Sequence, residues 1–325
     1  MLSERKHTMK ILITGVHGFV GSNLVAYLSA DNEIYGLDIV APEKEGVLKT
    51  YSWEDLDAGN VPSVDAIVHL AGKAHDTKNQ AAAEVYFKVN TGLTQKIFDY
   101  FLTHSDIRKF VFFSTAKAAA DKVEGVLTED VVPAPVGPYG ESKIAAEKYI
   151  LEKCKELDES SSHPDKQVYI FRPCMIHGPG NKGNLNLLYK VVKKGIPWPL
   201  GAFENRRTFT SVKNICFAVN GVLTKDVPSG IYNMGDDEAL STNELIEEIC
   251  LSLGKKAHIW RLPKGLMLFV ARVGGWLHLP LNPERLRKLT ENYISSNAKI
   301  KKALGVDRMP VDAREGLKVP LESFK

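Results

Sequence analysis

Tyr139 and Lys143 carry the clearest chemical signal in the sequence, because their spacing puts them on one face of a helix. An ammonium beside a phenol favours the phenolate, which makes a side chain with an ordinary pKa of ~10 a usable base. Ser114 and Thr115 end an apolar run upstream, where a hydroxyl can hydrogen-bond the oxygen that the tyrosine protonates or deprotonates. The same spacing also occurs on solvated helix faces, so the prediction of proton transfer depends on neighbouring motifs.

Three glycines after the first apolar run form the second chemical signal: Gly15, Gly18 and Gly21. In such a turn the first permits a tight bend, the second lets backbone N–H groups approach a pyrophosphate, and the third lets a helix pack closely on the strand. The helix N-terminus adds a positive dipole that favours phosphate. A second apolar run follows and ends on Asp38. This order of strand, glycine turn, helix, strand and carboxylate predicts a dinucleotide site.

Asp38 also distinguishes between the two nicotinamide dinucleotides. A carboxylate at the end of the second strand accepts hydrogen bonds from both ribose hydroxyls of NAD and repels the 2′-phosphate of NADP, which usually requires an arginine. No arginine follows in residues 38–43. The sequence therefore favours NAD.

The elements that must position these residues alternate between strand and helix over the first half of the chain. This alternation predicts an α/β fold, a doubly wound parallel sheet with helices on both faces. Helices are predicted after the glycine turn, from the Ser52 cap, and at residues 79–103 and 140–157. Strands are predicted at residues 10–14, 33–37, 47–52, 66–70, 109–114 and 167–172.

The regular alternation ends at Pro173. Residues 177–207 are dense in Gly, Pro and Asn, as binding loops are. We predict a Rossmann domain over residues 9–173 and a smaller substrate-binding lid domain over residues 174–325, of which segments such as 209–233 can return to the sheet. Further helices are predicted at residues 212–224, 241–253, 283–289 and 298–304.

Composition excludes several classes of function. The chain has 325 residues, 44% hydrophobic and 25% charged, with a formal net charge of +3, which is typical of a globular protein without a nucleic-acid surface. Its four cysteines are scattered without a CxxC pair, so we predict reduced thiols, no metal site and a cytoplasmic location. Residues 1–8 lack the apolar core of a signal peptide. Residues 266–281 are apolar but interrupted, which favours a buried or interface helix and leaves a peripheral membrane contact open.

A series of short motifs extends from the first strand to beyond residue 200. These motifs are Thr14-Gly15-x-x-Gly18-x-x-Gly21, Asp38, His69-Leu70-Ala71-Gly72, Val89-Asn90, Ser114-Thr115-Ala116, Tyr139-x-x-x-Lys143, Arg172-Pro173 with Gly178-Pro179-Gly180, and a Gly-Ile-Pro-Trp-Pro-Leu-Gly run leading to Arg206-Arg207. Together they resemble the extended short-chain dehydrogenase/reductase family, in its NAD-dependent nucleotide-sugar epimerase and reductase branch. The resemblance covers nearly the whole chain.

The resemblance implies Thr115, Tyr139 and Lys143 as the catalytic trio, with Lys143 also bonding the nicotinamide ribose. Implied cofactor contacts are Gly15, Gly18, Phe19, Val20, Gly21, Asp38, Ile39, Leu70, Ala71, Gly72, Asn90, Ser114, Tyr139, Lys143 and Pro173. Implied substrate contacts are Lys73, Thr115, Asn184, Leu185, Pro199, Leu200 and Arg207. Among them the pair at 184–185 matches residues that hold a nucleotide diphosphate, the pair at 199–200 lies where uracil is usually gripped, and the guanidinium matches one that pairs with phosphate.

Departures from the family pattern narrow the reaction. Ala116 and Lys117 stand where the 4,6-dehydratases have Asp-Glu, which argues against dehydration. Met175 stands where many sugar 4-epimerases have an asparagine, which weakens any prediction of the hexose. Tyr51-Ser52-Trp53 replaces the usual Asp-Leu after the third strand, so the contacts to adenine differ.

Three hypotheses follow. The first is a 4-epimerase of a UDP-hexose or UDP-N-acetylhexosamine that works through a 4-keto intermediate with tightly held NAD. The second is an NAD(P)H-dependent reductase of a UDP-4-keto-6-deoxy sugar in surface-polysaccharide synthesis, which the stretch from Gly195 to Phe209 resembles equally well. The third is a nucleotide-binding module without catalysis, which the intact trio disfavours. The helices at 79–103 and 140–157 resemble the pair that forms a homodimer interface in relatives.

Overall fold

The computed structural model of the protein describes residues 8–74, 82–160, 165–181, 184–277, 279 and 281–324. Its strands, in chain order, are β1 (Lys10–Thr14), β2 (Glu33–Leu37), β3 (Lys49–Tyr51), β4 (Ala66–His69), β5 (Lys109–Phe113), β6 (Val126–Leu127), β7 (Gln167–Pro173), β8 (Met175–His177), β9 (Arg207–Ser211), β10 (Gly230–Met234), β11 (Ala239–Leu240) and β12 (Ile294–Ser295).

Helices separate most of these strands. In chain order they are α1 (Phe19–Leu28), α2 (Trp53–Asp57), α3 (Ala83–Tyr86), α4 (Leu93–Thr103), α5 (Ala116–Ala119), α6 (Pro138–Ser160), α7 (Asn184–Lys193), α8 (Val212–Thr224), α9 (Thr242–Ser252), α10 (Lys264–Trp276), α11 (Pro283–Thr290), α12 (Ala298–Leu304) and α13 (Ala313–Ser323), with a π-helical segment, Phe87–Gly92, between α3 and α4.

Seven parallel strands form the central sheet in the order β10-β7-β5-β4-β1-β2-β3. The order reverses at β1, which lies between β2 and β4, so a cleft opens there at the carboxyl ends of the strands. The register sets Thr14 beside both Leu37 and His69 at that edge. The predicted fold class, a doubly wound parallel α/β sheet, is confirmed.

Both faces of the sheet are buried, and successive side chains of each strand serve different faces. Ile11 and Ile13 pack with α1 and α8 on one face, whereas Leu12 packs with α4 and α6 on the other. Such two-sided burial explains why the strands have nearly continuous apolar runs.

The long predicted helix at residues 79–103 has a more complex form. Residues 79–81 lie outside the described residues, and the rest forms α3, the π-helical segment and α4 as one continuous rod. The π-helical turn contains the buried Asn90, whose side chain bonds out of the helix to neighbouring segments. Periodicity alone predicts helix here but not the extra residue in the turn.

The second half of the chain contributes both to the central sheet and to a separate, smaller sheet with its own helices. β10 returns to the central sheet beside β7, and α8 packs on α1. A three-stranded sheet, β11-β9-β8, lies beyond the strand ends. Helices α7, α9 and α13 share an apolar core with it. Helices α7 and α13 were not predicted from the sequence: α7 lies within residues 177–207, which were predicted as binding loops, and α13 contains Pro320 and begins at the Asp312 cap.

Helix α10 covers most of the predicted apolar segment at 266–281. Its buried positions Met267 and Ala271 pack with Leu200 and Leu286 in a small separate core. Within the ranges described above, no helix combines the length and apolarity needed to span a bilayer.

Candidate active site

The carboxyl ends of the central strands open onto one cavity of ≈ 520 Å³, here called the central cavity. Its walls come from the glycine turn, the ends of β4, β5 and β7, the start of α6, and residues of β8, β9 and the segment before β12. Lining residues are Gly15, Gly18, Phe19, Val20, Gly21, Leu70, Gly72, Ala74, Phe113, Ser114, Thr115, Ala116, Lys117, Tyr139, Lys143, Pro173, Cys174, Met175, Ile176, Asn181, Arg207, Thr208, Phe209 and Tyr293.

The glycine turn has no room for side chains at two of its three glycines. Gly15 has φ of 69°, and a Cβ there would lie 2.9 Å from the backbone nitrogen of Ala71. A Cβ at Gly21 would lie 2.5 Å from the carbonyl oxygen of Gly15. Gly18 caps α1 and lines the central cavity. The turn therefore exposes backbone at the N-terminus of a helix, as phosphate binding requires.

A buried chain of hydrogen bonds supports this edge of the sheet. The Thr14 hydroxyl accepts from the backbone nitrogens of Leu70, at 3.1 Å, and Ala71, at 3.0 Å. Its own proton must then go to His69 Nδ1, 2.6 Å away, which leaves the ring proton on Nε2 for Thr94 at 2.9 Å. Burial, aided by the nearby Lys143 charge, holds the pKa of His69 well below its usual value, so the ring is neutral.

Asp38 lies half-buried where β2 ends. One carboxylate oxygen accepts from the backbone nitrogen of His17 at 3.1 Å, and the other from that of Ile39 at 2.7 Å. Each oxygen keeps a free lone pair, so the carboxylate can still accept from the two hydroxyls of a ribose. The side chain of Ile39 is 86% exposed and does not line the central cavity.

Thr115 and Tyr139 meet across the central cavity. Burial raises the pKa of the Tyr139 phenol, and a hydrogen bond with the Thr115 side chain opposes that rise. The ring of Tyr86 packs edge-on against Tyr139 with centroids 6.5 Å apart. The sequence predicts a phenol pKa lowered by Lys143 together with an oxidised nicotinamide, whereas in the protein without a dinucleotide desolvation outweighs the stabilising contacts and the pKa is raised.

Lys143 also lines the central cavity, and its Nζ donates to the carbonyl oxygen of Phe113 at 2.8 Å. Burial lowers its pKa to about 8, and the negative charge of Glu147 acts in the opposite direction. A Cβ at Gly72 would lie 3.1 Å from this Nζ, so the end of β4 passes directly over the ammonium. At neutral pH the Lys143 side chain therefore stays mostly protonated beside the segment that follows β4.

A buried ion pair lies behind Lys143. Arg172 donates from Nε and Nη2 to Glu147, the latter at 2.6 Å, and both side chains are at most 2% exposed. Ser114, which lines the central cavity, donates its hydroxyl proton to the same carboxylate. Glu147 is four residues after Lys143 on α6, so one face of this helix presents phenol, ammonium and carboxylate in succession.

The Asn90 side chain is held by hydrogen bonds to Lys73 and Ser142. Its side chain accepts from the backbone nitrogen of Lys73 at 2.7 Å, donates to the carbonyl oxygen of the same residue at 3.1 Å, and donates to the Ser142 hydroxyl at 2.9 Å. It thus ties the segment after β4 to α6. Ala71 likewise contributes its backbone, and neither its side chain nor that of Lys73 lines the central cavity.

The far end of the central cavity joins residues from three separate segments. Cys174, Arg207 and Tyr293 line it together with Met175. Burial raises the pKa of the Cys174 thiol to about 12 and lowers the pKa of Arg207. The Arg207 Nη1 donates to the carbonyl oxygen of Lys288 at 2.5 Å, which holds the guanidinium at the cavity wall.

Several predicted substrate contacts lie away from the central cavity. The side chains of Leu185 and Leu200 are buried in the apolar cores of the second half. Pro199 does not line the cavity either, and the side chain of Asn184 lies outside the described residues. The family resemblance implied that Leu185 and Leu200 contact the substrate, but in this structure their side chains pack in apolar cores.

Sequence reasoning missed residues that reach the cavity from distant segments. Tyr293 comes from beyond α11, and its hydroxyl donates to the carbonyl oxygen of Ala120 at 2.8 Å. No local sequence motif predicts that Tyr293 lies at the cavity. Thr208 and Phe209 follow the arginine pair directly, so the Arg206-Arg207 signal would have found them. Lys117, which departs from the family pattern, also lines the cavity, and its ammonium lies 3.0 Å from the Asp121 carboxylate.

Comparisons with known proteins identify the family of this chain. Residues 11–235 match the NAD dependent epimerase/dehydratase family. The UDP-glucose 4-epimerase of Vibrio cholerae is 31% identical over 280 residues, 80% of each chain. The N-acetyl-alpha-D-glucosaminyl-diphospho-ditrans,octacis-undecaprenol 4-epimerase of Escherichia coli O157:H7 is 27% identical over 299 residues, 90% of this chain and 84% of the relative.

Solved structures agree in fold. The crystal structure of UDP-glucuronic acid 4-epimerase from Bacillus cereus in complex with NAD superposes with a TM-score of 0.72 at 20% identity, over 97% of this chain and 98% of that one. The family resemblance and the NAD dependence predicted from the motifs are confirmed. The glycine turn, which has no room for a Cβ, and the Asp38 carboxylate fit the dinucleotide. The chain is an enzyme and belongs to the NAD dependent epimerase/dehydratase family.

Proposed function

We propose that the protein is a 4-epimerase of a UDP-hexose or UDP-N-acetylhexosamine. The observation that carries this proposal is the convergence of Thr115, Tyr139 and Lys143 on the same cavity as the glycine turn. A proton-transfer group and a dinucleotide cradle must share one cleft if a sugar carbon is to be oxidised and reduced in place.

Residues of the central sheet would hold the dinucleotide. The turn from Gly15 to Gly21 would bind the pyrophosphate, Asp38 the adenosine ribose, and Lys143 the nicotinamide ribose. When bound, NAD⁺ supplies a hydride acceptor for C4 of the sugar and afterwards returns the same hydride. Gly72, Ser114 and Pro173 would form the walls around it.

Tyr139 would carry the proton. As phenolate it accepts the proton of the sugar 4-hydroxyl, and as phenol it gives that proton back to the oxygen of the 4-keto sugar after the sugar has turned over. Thr115 would hydrogen-bond the same oxygen throughout. Because burial raises the phenol pKa, the base form would need positive charge nearby, and the Lys143 ammonium together with an oxidised nicotinamide would provide it.

The far end of the central cavity would bind the UDP-sugar. Arg207 is the residue that suits a phosphate, and burial of a guanidinium strengthens such a charge-assisted pair. Lys117 is paired with Asp121, and with Ala116 it replaces the acid and base of a dehydratase. Met175 at the cavity wall would leave the hexose less tightly specified than an amide side chain would.

One experiment tests the reaction class. The purified protein is denatured, any released dinucleotide is identified, and the native protein is offered UDP-sugars without added cofactor. The epimerase predicts released NAD and interconversion of C4 epimers. Stoichiometric oxidation of added NADPH with a 4-keto sugar would instead establish the reductase, and absence of turnover with either would leave a binding module.

We also propose a homodimer in the cytoplasm. Helix α6 and the α3–α4 rod pack side by side and expose Val85, Phe87 and Leu151, each about two-fifths exposed in the single chain. Such apolar side chains on paired helices suit a four-helix interface. All four cysteines are free thiols, as in a reducing compartment. Light scattering coupled to gel filtration measures the mass, and a monomer would contradict the dimer.

A further inference from the structure

Helix α10 has a narrow buried stripe and a broad apolar outer face. Met267, Ala271 and Gly274 form the stripe. Phe269 and Trp276 lie seven residues apart, two turns along the helix, on the side opposite that stripe. Phe269 is 64% exposed and Trp276 is 81% exposed. Other apolar side chains that are well exposed on the same helix and just after it are Leu266, Leu268, Val270, Leu277 and Leu279.

The charged side chains of the segment that contains this face have a single sign. Between Glu248 and Glu284 the sequence contains no aspartate or glutamate, but it contains five basic residues. They are Lys255, Lys256, Arg261, Lys264 and Arg272. The acid that ends this interval, Glu284, is paired with Lys288 at 2.6 Å. The segment that contains this wide apolar face is therefore basic, because residues 249–283 include no acidic side chain that could neutralise its positive charges.

We propose that the outer face of α10 docks on an anionic lipid bilayer. An interfacial helix lies in the membrane plane with Trp, Phe and Leu in the acyl boundary and with Lys and Arg at the headgroups, which is the arrangement around Phe269 and Trp276. Arg272 flanks the two aromatic residues, and Lys264 begins the helix. The basic segment matches the negative potential of such a surface.

The charge pattern favours a bilayer over a second copy of the chain. In a two-fold dimer the same patch faces itself, so Lys264 and Arg272 of one copy would approach those of the other, and α10 itself carries no acid to separate them. Anionic lipid headgroups neutralise the same charges. The occupant that fits both the apolar face and its charge is therefore the lipid surface.

Through its buried stripe, helix α10 connects to the far end of the central cavity, here called the substrate end because the UDP-sugar would bind there. The stripe of α10 packs on Leu200 and Leu286, and α11 supplies the Lys288 carbonyl that accepts from Arg207. Docking through α10 would therefore hold the substrate end, rather than the sheet edge at β3, next to the membrane. This inference concerns an interaction surface and does not depend on the reaction proposed above.

Vesicle co-sedimentation tests the proposal with the full chain. Vesicles of phosphatidylcholine alone are compared with vesicles of equal parts phosphatidylcholine and phosphatidylglycerol. We expect the protein to bind the anionic vesicles, and added salt to weaken that binding. The double variant Phe269→Ser/Trp276→Ser should bind roughly tenfold less tightly, and Lys264→Glu/Arg272→Glu should lose the preference for anionic vesicles. A matched control, Leu48→Ser/Val132→Ser, changes residues that are 63% and 84% exposed elsewhere on the surface and should bind as the parent does.

Folding is checked by the melting temperature and by the dinucleotide that each variant retains, which should match the parent protein. Equal binding by parent and α10 variants, or no binding of the parent to anionic vesicles, overturns the proposal. A change of oligomeric state on gel filtration in Phe269→Ser/Trp276→Ser, without vesicle binding by the parent, would assign the face to a second copy and also overturn it.

Discussion

The two ends of the central cavity are built differently. The nucleotide end is made by backbone: the turn at residues 14–21 leaves no space for a Cβ at Gly15 or Gly21, and the end of β4 lies against it. The substrate end is made by side chains such as Cys174, Arg207 and Tyr293, which come from segments far apart in sequence. One end therefore tolerates almost no added atoms, whereas the other can be changed one contact at a time.

This difference separates dinucleotide binding, which the family shares, from selection of the sugar. A backbone cradle binds any molecule with the right diphosphate, because N–H groups do not depend on residue type. A pocket of side chains selects the sugar, because its shape and charge change with each substitution. Changes at the nucleotide end should weaken NAD binding whichever sugar is offered, and changes at the substrate end should mainly alter the KM for the sugar.

The largest effect is expected where the two ends meet, at Tyr139. Tyr139→Phe removes the proton carrier and keeps the ring, so kcat should fall by ~10²–10⁴-fold while bound NAD is retained. Steady-state kinetics and the dinucleotide released on denaturation measure both. Tyr149→Phe on the same helix, whose hydroxyl bonds to Asp99 outside the cavity, is the matched control. Undiminished turnover by the Tyr139 variant would refute the proton-transfer role.

The second largest effect is expected from adding a methyl group at the nucleotide end. In Gly21→Ala the new Cβ would start 2.5 Å from the Gly15 carbonyl oxygen, so α1 must move away from the turn. Overpacking of this kind costs about 1–3 kcal/mol, and we expect NAD to bind roughly 5–150-fold less tightly. Isothermal titration measures the affinity. Gly265→Ala, where an added Cβ meets nothing within 4 Å, serves as the control. Unchanged NAD affinity in Gly21→Ala would contradict a cradle made by backbone.

The Glu147–Arg172 ion pair should determine the pH range over which Lys143 stays protonated. Glu147→Gln removes the negative charge that raises the pKa of Lys143, so that pKa should fall below its value of about 8. The ammonium is then lost at lower pH, and the alkaline limb of kcat/KM should move to lower pH. The unpaired Arg172 should also destabilise the fold by about 3–5 kcal/mol. An unshifted alkaline limb in folded Glu147→Gln would show that the lysine does not depend on this pair.

The smallest effect is expected from a single contact at the substrate end. Tyr293→Phe removes the hydrogen bond to the Ala120 carbonyl oxygen, worth about 1 kcal/mol, which loosens one cavity wall. KM for the UDP-sugar should rise several-fold, while kcat and bound NAD should change little. A loss of NAD as large as that in Gly21→Ala would erase the proposed distinction between the two ends.

The same distinction explains what could be predicted from the sequence. The nucleotide end was predictable because a local motif, such as the turn from Gly15 to Gly21 followed by Asp38, encodes backbone geometry that few other residues permit. Tyr293 was not predictable, because its place in the cavity depends on how α11 packs, which no local pattern specifies. Leu200 was assigned to the substrate on resemblance, but its burial against α10 is a tertiary contact.

Isotope transfer gives the most direct test of the central claim, that the glycine turn and the Tyr139–Lys143 pair serve one cleft. A UDP-sugar carrying deuterium at C4 is incubated with the purified enzyme without added cofactor, and the product is analysed by mass spectrometry and NMR. The account predicts a C4 epimer that keeps its deuterium, because the hydride leaves and returns within the same cavity. Loss of the label, or conversion only with stoichiometric added NADH or NADPH, would contradict it.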